Sequence, residues 1–178
     1  MSKLVNLFSR YIIILFAGLG NLFIFYKIFT PLTTKLSAFI LNIFTTITLI
    51  SNTIILPSKT IQIIPACVAG SAYYLLFILN LATPEIKINK RIKIILFSFS
   101  SLLILNVARI LILSQITNQN LFNILHLVFW YLLSTIFVVA IWFISVKLFQ
   151  IKEIPFYSDI KFILKYKRHS RKKSKRSK

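Results

Sequence analysis

The sequence contains very little negative charge and little charge of any kind. Only three of its 178 residues are Asp or Glu, and charged residues make up 14 % of the chain. A soluble domain of this size carries far more charge. Hydrophobic residues make up 57 % of the chain, and apolar runs of about twenty residues recur, a length that crosses roughly 30 Å of hydrocarbon. The sequence therefore predicts a polytopic helical membrane protein.

Several catalytic chemistries lack their residues in this chain. No acidic residue lies inside a hydrophobic run, which excludes an intramembrane protease that works with paired aspartates. One cysteine and one histidine outside the C-terminal tail cannot form a zinc site, and a single cysteine cannot form an internal disulfide. The three glycines form no phosphate-binding loop. We therefore predict no metal and no cofactor.

The positive charge is concentrated at the C-terminus. Ten of the 22 Lys and Arg residues lie between Lys161 and Lys178, within a net charge of +19. Such a block is usually solvated and disordered, and it can bind anionic lipid head groups or anchor the topology. Tethering to RNA is the alternative. We divide the chain into a transmembrane catalytic bundle, residues 1–152, and a basic cytoplasmic tail, residues 153–178, and predict no nucleic-acid partner.

Five hydrophobic runs predict an all-α membrane bundle of about five transmembrane helices. Pro31 marks the boundary between the first two runs. The turn Pro57-Ser58-Lys59 and the alternation at residues 60–63 predict a short external hairpin before the third helix. The first run is interpreted as a retained helix and not as a removed signal peptide. The runs are Tyr11–Phe29, Leu32–Ile50, Ala66–Ala82, Ile94–Leu113 and Leu121–Phe149.

The distribution of basic residues predicts the orientation in a cell membrane. With the tail in the cytoplasm, alternation of the helices leaves only Lys3, Arg10 and Lys59 on the outer side. This asymmetry agrees with the positive-inside rule. The N-terminus is then expected outside, and all three acidic residues, including Asp159, are expected inside.

Three ionisable side chains fall in one layer of this arrangement. At about 1.5 Å per residue, Cys67 and Arg109 lie roughly 5 to 6 Å below the outer surface, and His126 lies at the interface. An ionisable group in hydrocarbon is a functional candidate by default. Since a thiol, an imidazole and a guanidinium are the components of a cysteine-based acyl-transfer site, we predict an active site at the extracytoplasmic face.

Each of these residues also has a structural interpretation. Cys67 can be a small buried hydrophobe, although its place in the first turn of a helix opened by proline favours a thiolate. Arg109 can extend its head group to the surface, or it can hold a carbonyl or carboxylate together with Asn106, one turn earlier. His126 can belong to the interfacial aromatic belt. Ser71 with His126 is a weaker, serine-based alternative.

The ordered strings Pro65-Ala66-Cys67 and Asn106-Val107-Ala108-Arg109, followed by His126, resemble the archaeosortase/exosortase family. The resemblance implies a membrane cysteine protease or transpeptidase with Cys67 as nucleophile and Arg109 and His126 as the rest of the catalytic set. It implies, as partners, the C-terminal sorting signals of exported proteins, which combine a short motif, a transmembrane helix and a basic cluster.

The resemblance also implies that the acyl group is passed to an acceptor, for which membrane lipids are one candidate. Val68 and Ala69 stand where the family often has a hydroxyl residue followed by glycine, so no neighbouring hydroxyl is expected to assist the thiol. The alternative function that we keep is a small non-catalytic membrane scaffold or tether.

Overall fold

A computed structural model describes residues 3–57 and 59–176 of the chain. The chain is mostly helical and has one small antiparallel sheet with the strand order β1-β2-β3. In chain order the elements are α1 (Lys3–Gly18), α2 (Phe23–Phe44), β1 (Thr48–Ile50), β2 (Thr53–Ile55), β3 (Thr60–Gln62), α3 (Pro65–Val68), α4 (Gly70–Leu81), α5 (Ile88–Gln115), α6 (Gln119–Tyr131), a π-helical turn (Leu132–Phe137), α7 (Val138–Leu148) and α8 (Tyr157–Arg176).

The core is centred on α4, which packs against α1, α2, α5 and α7. Its residues Tyr73 and Leu76 are almost completely buried. The rings of Tyr73 and Phe29 stack with centroids 3.6 Å apart, and Phe99 of α5 meets both rings edge-on at 5.5 Å. This aromatic cluster joins α2, α4 and α5, and aromatic pairs in such geometry stabilise a core beyond the area that they bury.

The predicted boundary at Pro31 is wrong, because Pro31 lies inside α2. The chain bends instead between Gly18 and Phe23, where α1 and α2 meet at 64°. Gly20, Asn21 and Leu22 have φ values of 75°, 54° and 61°. Three consecutive left-handed residues end a helix, whereas a proline within it removes only one backbone hydrogen bond.

The sheet replaces both the predicted hairpin and the end of the second predicted helix. α2 ends at Phe44, and Thr48–Ile50, which was expected in a membrane helix, is strand β1. The predicted two-stranded hairpin is thus a three-stranded meander. It is attached to the bundle through Ile54, which is fully buried against Ala38 and Leu41 of α2.

Two helical segments of the described chain are long and apolar enough to cross a membrane: Ile88–Gln115 and Gln119–Leu148. α1 and α2 provide a third if the bent pair is one span, and Gly70–Leu81 is apolar but shorter. Many large apolar side chains on the outer faces of these helices are exposed, which is compatible with a membrane protein whose helices contact lipid. The five predicted transmembrane helices are not confirmed.

The predicted placement of Arg10 outside and Asp159 inside is wrong. Arg10 Nη2 lies 2.7 Å from Asp159 Oδ1, and two side chains in contact lie on the same side of any membrane. Arg10 Nη1 also donates to the carbonyl of Leu81 at 2.8 Å, at the C-terminal end of α4. Arg91 of α5 donates to the carbonyls of Asn80 and Thr83 there. Cations satisfy the free carbonyls that end a helix, which explains this clustering.

The three acidic residues, which were all expected on the inner side of the membrane, line one cavity. This cavity of about 320 Å³ lies at the end of the bundle that holds Arg10; the residues are Glu85, Glu153 and Asp159. Asp159 belongs to α8, so the beginning of the predicted tail packs on the bundle. The side chains of the basic cluster from Arg168 onward lie outside the described residues, and its predicted role stays a prediction.

Candidate active site

A cavity of about 480 Å³ lies at the opposite end of the bundle, beside the sheet. Cys67, Arg109 and His126 all line it, although they come from α3, α5 and α6. Along α5, Arg109 is about 27 Å from Arg91 at the other end. The structure thus brings together the three residues that the sequence placed in one layer. Their catalytic roles stay a prediction.

Cys67 is half-buried, and its thiol is free. It lies in the first turn of α3, which begins at Pro65, as expected. The expected continuous helix over residues 66–82 is wrong, since Ala69 has a φ of 58° and separates α3 from α4. α3 is therefore a single turn without the dipole of a long helix. Its Cys67 N–H donates to the carbonyl of Ile64 at 2.8 Å.

Arg109 is 2 % exposed, so it does not extend its head group to the surface. Its Nε, Nη1 and Nη2 atoms are buried, and none has a hydrogen-bond partner among the described residues. It lines the same cavity as Cys67 and His126. A buried unpaired charge is destabilising by several kcal/mol, and buried polar groups in proteins are nearly always paired. Arg109 therefore has the properties of a side chain whose hydrogen-bond acceptor is supplied by a ligand.

Asn106 connects Arg109's helix to the segment that holds the cysteine. It is fully buried, and its Nδ2 donates to the carbonyl of Val68 at 3.3 Å. Val68 follows Cys67 directly and ends α3, so the bond fixes the cysteine turn against α5. Asn106 Oδ1 has no partner in the described part of the chain. Asn106 thus has a structural role, because it positions the backbone of α3. Its expected role beside Arg109, in holding a carbonyl or carboxylate, stays a prediction.

His126 is half-buried on α6, a helix with no fully buried residue. Its ring stacks on Phe122, one turn earlier, with centroids 5.8 Å apart and an interplanar angle of 29°. Both residues line the cavity. Asn118 caps the start of α6, where its Oδ1 accepts the N–H groups of Asn120 and Leu121 at 2.9 and 3.1 Å. The cap and the ring contact hold the imidazole at the wall of the cavity.

Sequence reasoning missed Lys59 as a member of the site. Its Nζ donates to the carbonyl of Ile116 at 2.8 Å and lies 3.5 Å from that of Leu113, where α5 ends. Burial lowers the pKa of Lys59. Lys59 was the one basic residue expected in the outer segment between the second and third predicted helices. That position could have identified it as a member of the site. Other lining residues that were not expected include Thr60, Gln62, Ile110, Ser114 and Gln119.

The arrangement supplies the groups for nucleophilic attack on a carbonyl in a partly apolar cavity. A thiol, an imidazole in the same cavity and a buried guanidinium are groups that can serve as a nucleophile, a proton acceptor and a hydrogen-bond donor to an oxyanion. In the described residues no three His, Cys, Asp or Glu side chains are placed so that they could hold a metal ion. Comparisons of the chain with protein-family models, curated proteins and solved structures find no significant match.

Proposed function

We propose that this protein is a membrane cysteine transpeptidase of the archaeosortase/exosortase type. It cleaves a C-terminal sorting signal of an exported protein at the extracytoplasmic face and transfers the acyl group to an acceptor. The observation that carries the proposal is the common cavity of Cys67, His126 and the buried Arg109, which has no partner in the described chain. Residues from three separate elements converge there on the chemistry that acyl transfer needs.

In the first step, the Sγ atom of Cys67 attacks the carbonyl carbon of the scissile peptide bond. His126 takes the thiol proton and then gives it to the leaving amine as the C–N bond breaks, which leaves a thioester on Cys67. Arg109 donates hydrogen bonds to the oxygen that becomes negative during the attack. An amine or hydroxyl acceptor, such as a lipid head group, then attacks the thioester while His126 takes its proton; the C–S bond breaks, and the proton returns to the sulfur of Cys67.

The proposal includes a membrane arrangement with four crossing segments: the bent pair α1–α2, the pair α3–α4, α5, and α6–α7. Arg10 meets the end of α4 at Leu81, and Tyr26 of α2 lies against Gly70 at its start. These contacts support a single antiparallel path of α1–α2 along α4. Both chain ends then lie on the cytoplasmic side, and the cavity of Cys67 lies on the outer side.

A non-catalytic scaffold or a tether is the competing function. A scaffold that uses the polar trio only for packing would pair the guanidinium with protein groups, whereas Arg109 has no such partner in the described chain. The cavity beside Cys67 also supports an enzyme. Removal of residues 168–178 separates enzyme from tether, because a tether loses its function and the transpeptidase keeps its chemistry.

The test uses a co-expressed protein from the same cell that ends in a short motif, a hydrophobic helix and a basic cluster. We expect cleavage of the co-expressed protein and a hydroxylamine-sensitive thioester on Cys67. The Cys67→Ala variant should show neither, although the same amount of the variant protein is present in the membrane. Ser71→Ala is the matched control and should cleave normally. Cleavage by Cys67→Ala would place the nucleophile elsewhere.

A further inference from the structure

The free edge of the sheet forms one wall of the cavity. β3 pairs with β2 on one side, and no strand of the described chain pairs with its other side. The residues from Lys59 to Ile64, which include all of β3, line the cavity that holds Cys67. An unpaired strand edge is a template for another extended chain. Here Thr60 and Gln62 of the edge strand are exposed, and the edge borders the cavity that holds Cys67.

The register of β3 determines which main-chain groups point into the cavity. Ile63 N–H donates to the carbonyl of Asn52 in the strand pairing with β2. Since alternate residues of an antiparallel pair bond to the partner strand, Ile61 and Ile63 direct their main-chain groups toward β2. Thr60 and Gln62 direct their N–H and C=O groups the other way. These four groups have no partner among the described residues.

We propose that the acyl donor binds as an extended peptide that adds a fourth strand at the free edge of β3, where Thr60 and Gln62 hold it beside Cys67. The proposal rests on the proposed function and names its mode of substrate recognition. β3 ends at Gln62, and α3 begins at Pro65. A strand that pairs with β3 therefore leads directly to the turn that carries the nucleophile.

A peptide fits these groups better than a lipid does. Thr60 and Gln62 present two donor–acceptor pairs about 6.8 Å apart, which is the spacing of alternate residues in a strand. A peptide main chain has groups at the same spacing, and a lipid tail has none. Main-chain pairing gives affinity for many sequences, and pockets for alternate side chains give specificity.

The buried guanidinium is a second, independent observation. Arg109 lines the same cavity, 2 % exposed, with three nitrogen atoms that have no partner among the described residues. A peptide strand on β3 brings carbonyl oxygens into the cavity, which are the acceptors that Arg109 lacks. The volume of about 480 Å³ is within the usual range for a ligand site.

The experiment measures alkylation of Cys67 in the purified full-length protein by mass spectrometry. The probe is acetyl-Thr-Val-Thr-Val-Ala chloromethyl ketone, and chloroacetone is the reagent with the same reactive group and no strand. Two analogues of the probe carry N-methyl groups on alternate amides, one along each edge of the peptide. We expect the parent probe to label Cys67 at least tenfold faster than chloroacetone, and one analogue to lose at least tenfold relative to the other.

A matched pair of variants tests the protein side. Gln62→Pro removes one outward N–H, and proline is tolerated on an edge strand at such a position. Gln62→Ala removes the side chain and keeps the N–H. We expect Gln62→Pro to lose the advantage of the peptide over chloroacetone and Gln62→Ala to retain it. The proposal is overturned if the two N-methyl analogues react equally fast, or if the parent probe reacts no faster than chloroacetone; both results are obtained on the unaltered protein.

Failure of this proposal and failure of the proposed function are distinguishable. If Cys67→Ala abolishes cleavage but the analogues react equally, the transpeptidase stands and strand pairing is wrong. If the analogues differ but Cys67→Ala still cleaves the co-expressed protein, the edge binds peptides and the transpeptidase assignment is wrong.

Discussion

At the scale of single residues, two buried arginines of α5 differ in their hydrogen-bond partners. The guanidinium of Arg91 donates to two carbonyls that end α4, whereas that of Arg109 has no partner within the described residues. Both side chains are more than nine-tenths buried. The first arrangement stabilises the fold, and the second keeps a desolvated cation in a cavity. Such an exception to the pairing of buried charges is typical of functional sites.

The two arginines should therefore respond oppositely to the same substitution. We expect Arg109→Gln to lower the cleavage rate by about 10²- to 10³-fold, as loss of an oxyanion donor does. The melting temperature of this variant should be unchanged or raised, because an unpaired buried charge is removed. Arg91→Gln should lower stability by about 1–3 kcal/mol, because buried carbonyls lose their donor. Melting in detergent micelles and the cleavage assay measure both effects.

A marked loss of stability in Arg109→Gln would contradict this assignment, since it would mean that the guanidinium is already paired in the folded protein. A normal cleavage rate in the same variant would remove Arg109 from the catalytic set. His126→Gln is the companion measurement, with an expected loss of about 10²- to 10⁴-fold from general acid–base catalysis.

At the scale of elements, the junction of α3 and α4 determines where the thiol lies. Ala69 is left-handed, with a φ of 58°, and a Cβ atom on Gly70 would lie 2.6 Å from Cε1 of Tyr26. α2 can approach the junction this closely because Gly70 has no side chain. Asn106 holds the other side through the carbonyl of Val68. The cysteine turn is thus fixed by packing from α2 and by a hydrogen bond from α5.

Substitutions at these two neighbouring positions should have opposite signs. We expect Gly70→Ala to destabilise the protein by about 1–3 kcal/mol, since the ring of Tyr26 must move. Ala69→Gly should be neutral or stabilising by up to about 1 kcal/mol, because glycine adopts a positive φ without strain. Thermal unfolding in the same detergent checks both. Equal melting temperatures for the two variants would contradict the close contact of Tyr26 with the junction.

At the scale of the whole molecule, the two ends of the bundle have different chemistry. One end holds the cavity of Cys67 and the sheet, and the other holds the acidic cavity, with Arg10 paired to Asp159. This pair joins α1 to α8, elements that are almost the whole chain apart in sequence. The pair is nearly buried, with side chains 9 % and 5 % exposed, so it holds α1 and the start of α8 at the same end of the bundle.

Charge reversal tests this long-range connection. We expect Arg10→Asp and Asp159→Arg each to destabilise the protein by about 3–5 kcal/mol, because each leaves like charges together in a nearly buried site. The double variant should recover a large part of that loss. The measurement is a double-mutant cycle of melting temperatures in detergent. Additive losses in the double variant would show that the two side chains do not interact.

The long apolar helices and the grouping of the candidate residues could be predicted from the sequence because both depend on local pattern. Hydrophobic run length predicts where helices form, and counting residues along their own helices places Cys67, Arg109 and His126 toward the same end of the bundle, where they line one cavity. The turn at Pro65 and the alternation at residues 60–63 are likewise local. The long helix Ile88–Gln115 contains its predicted run, Ile94–Leu113, for this reason, although it begins six residues earlier, in what was expected to be a loop.

Other features were decided only by the tertiary structure. Composition does not distinguish an arginine with partners from one without, so the difference between Arg91 and Arg109 depends on which carbonyls the fold brings near. The chain bends at Gly20, and Arg10 lies beside Asp159 at the end of the bundle opposite the cavity of Cys67, although it was expected on the same side as Cys67. β3 becomes an edge strand only once its partners are known. Pairing, burial and edges are properties of contacts between distant segments, and no local pattern contains them.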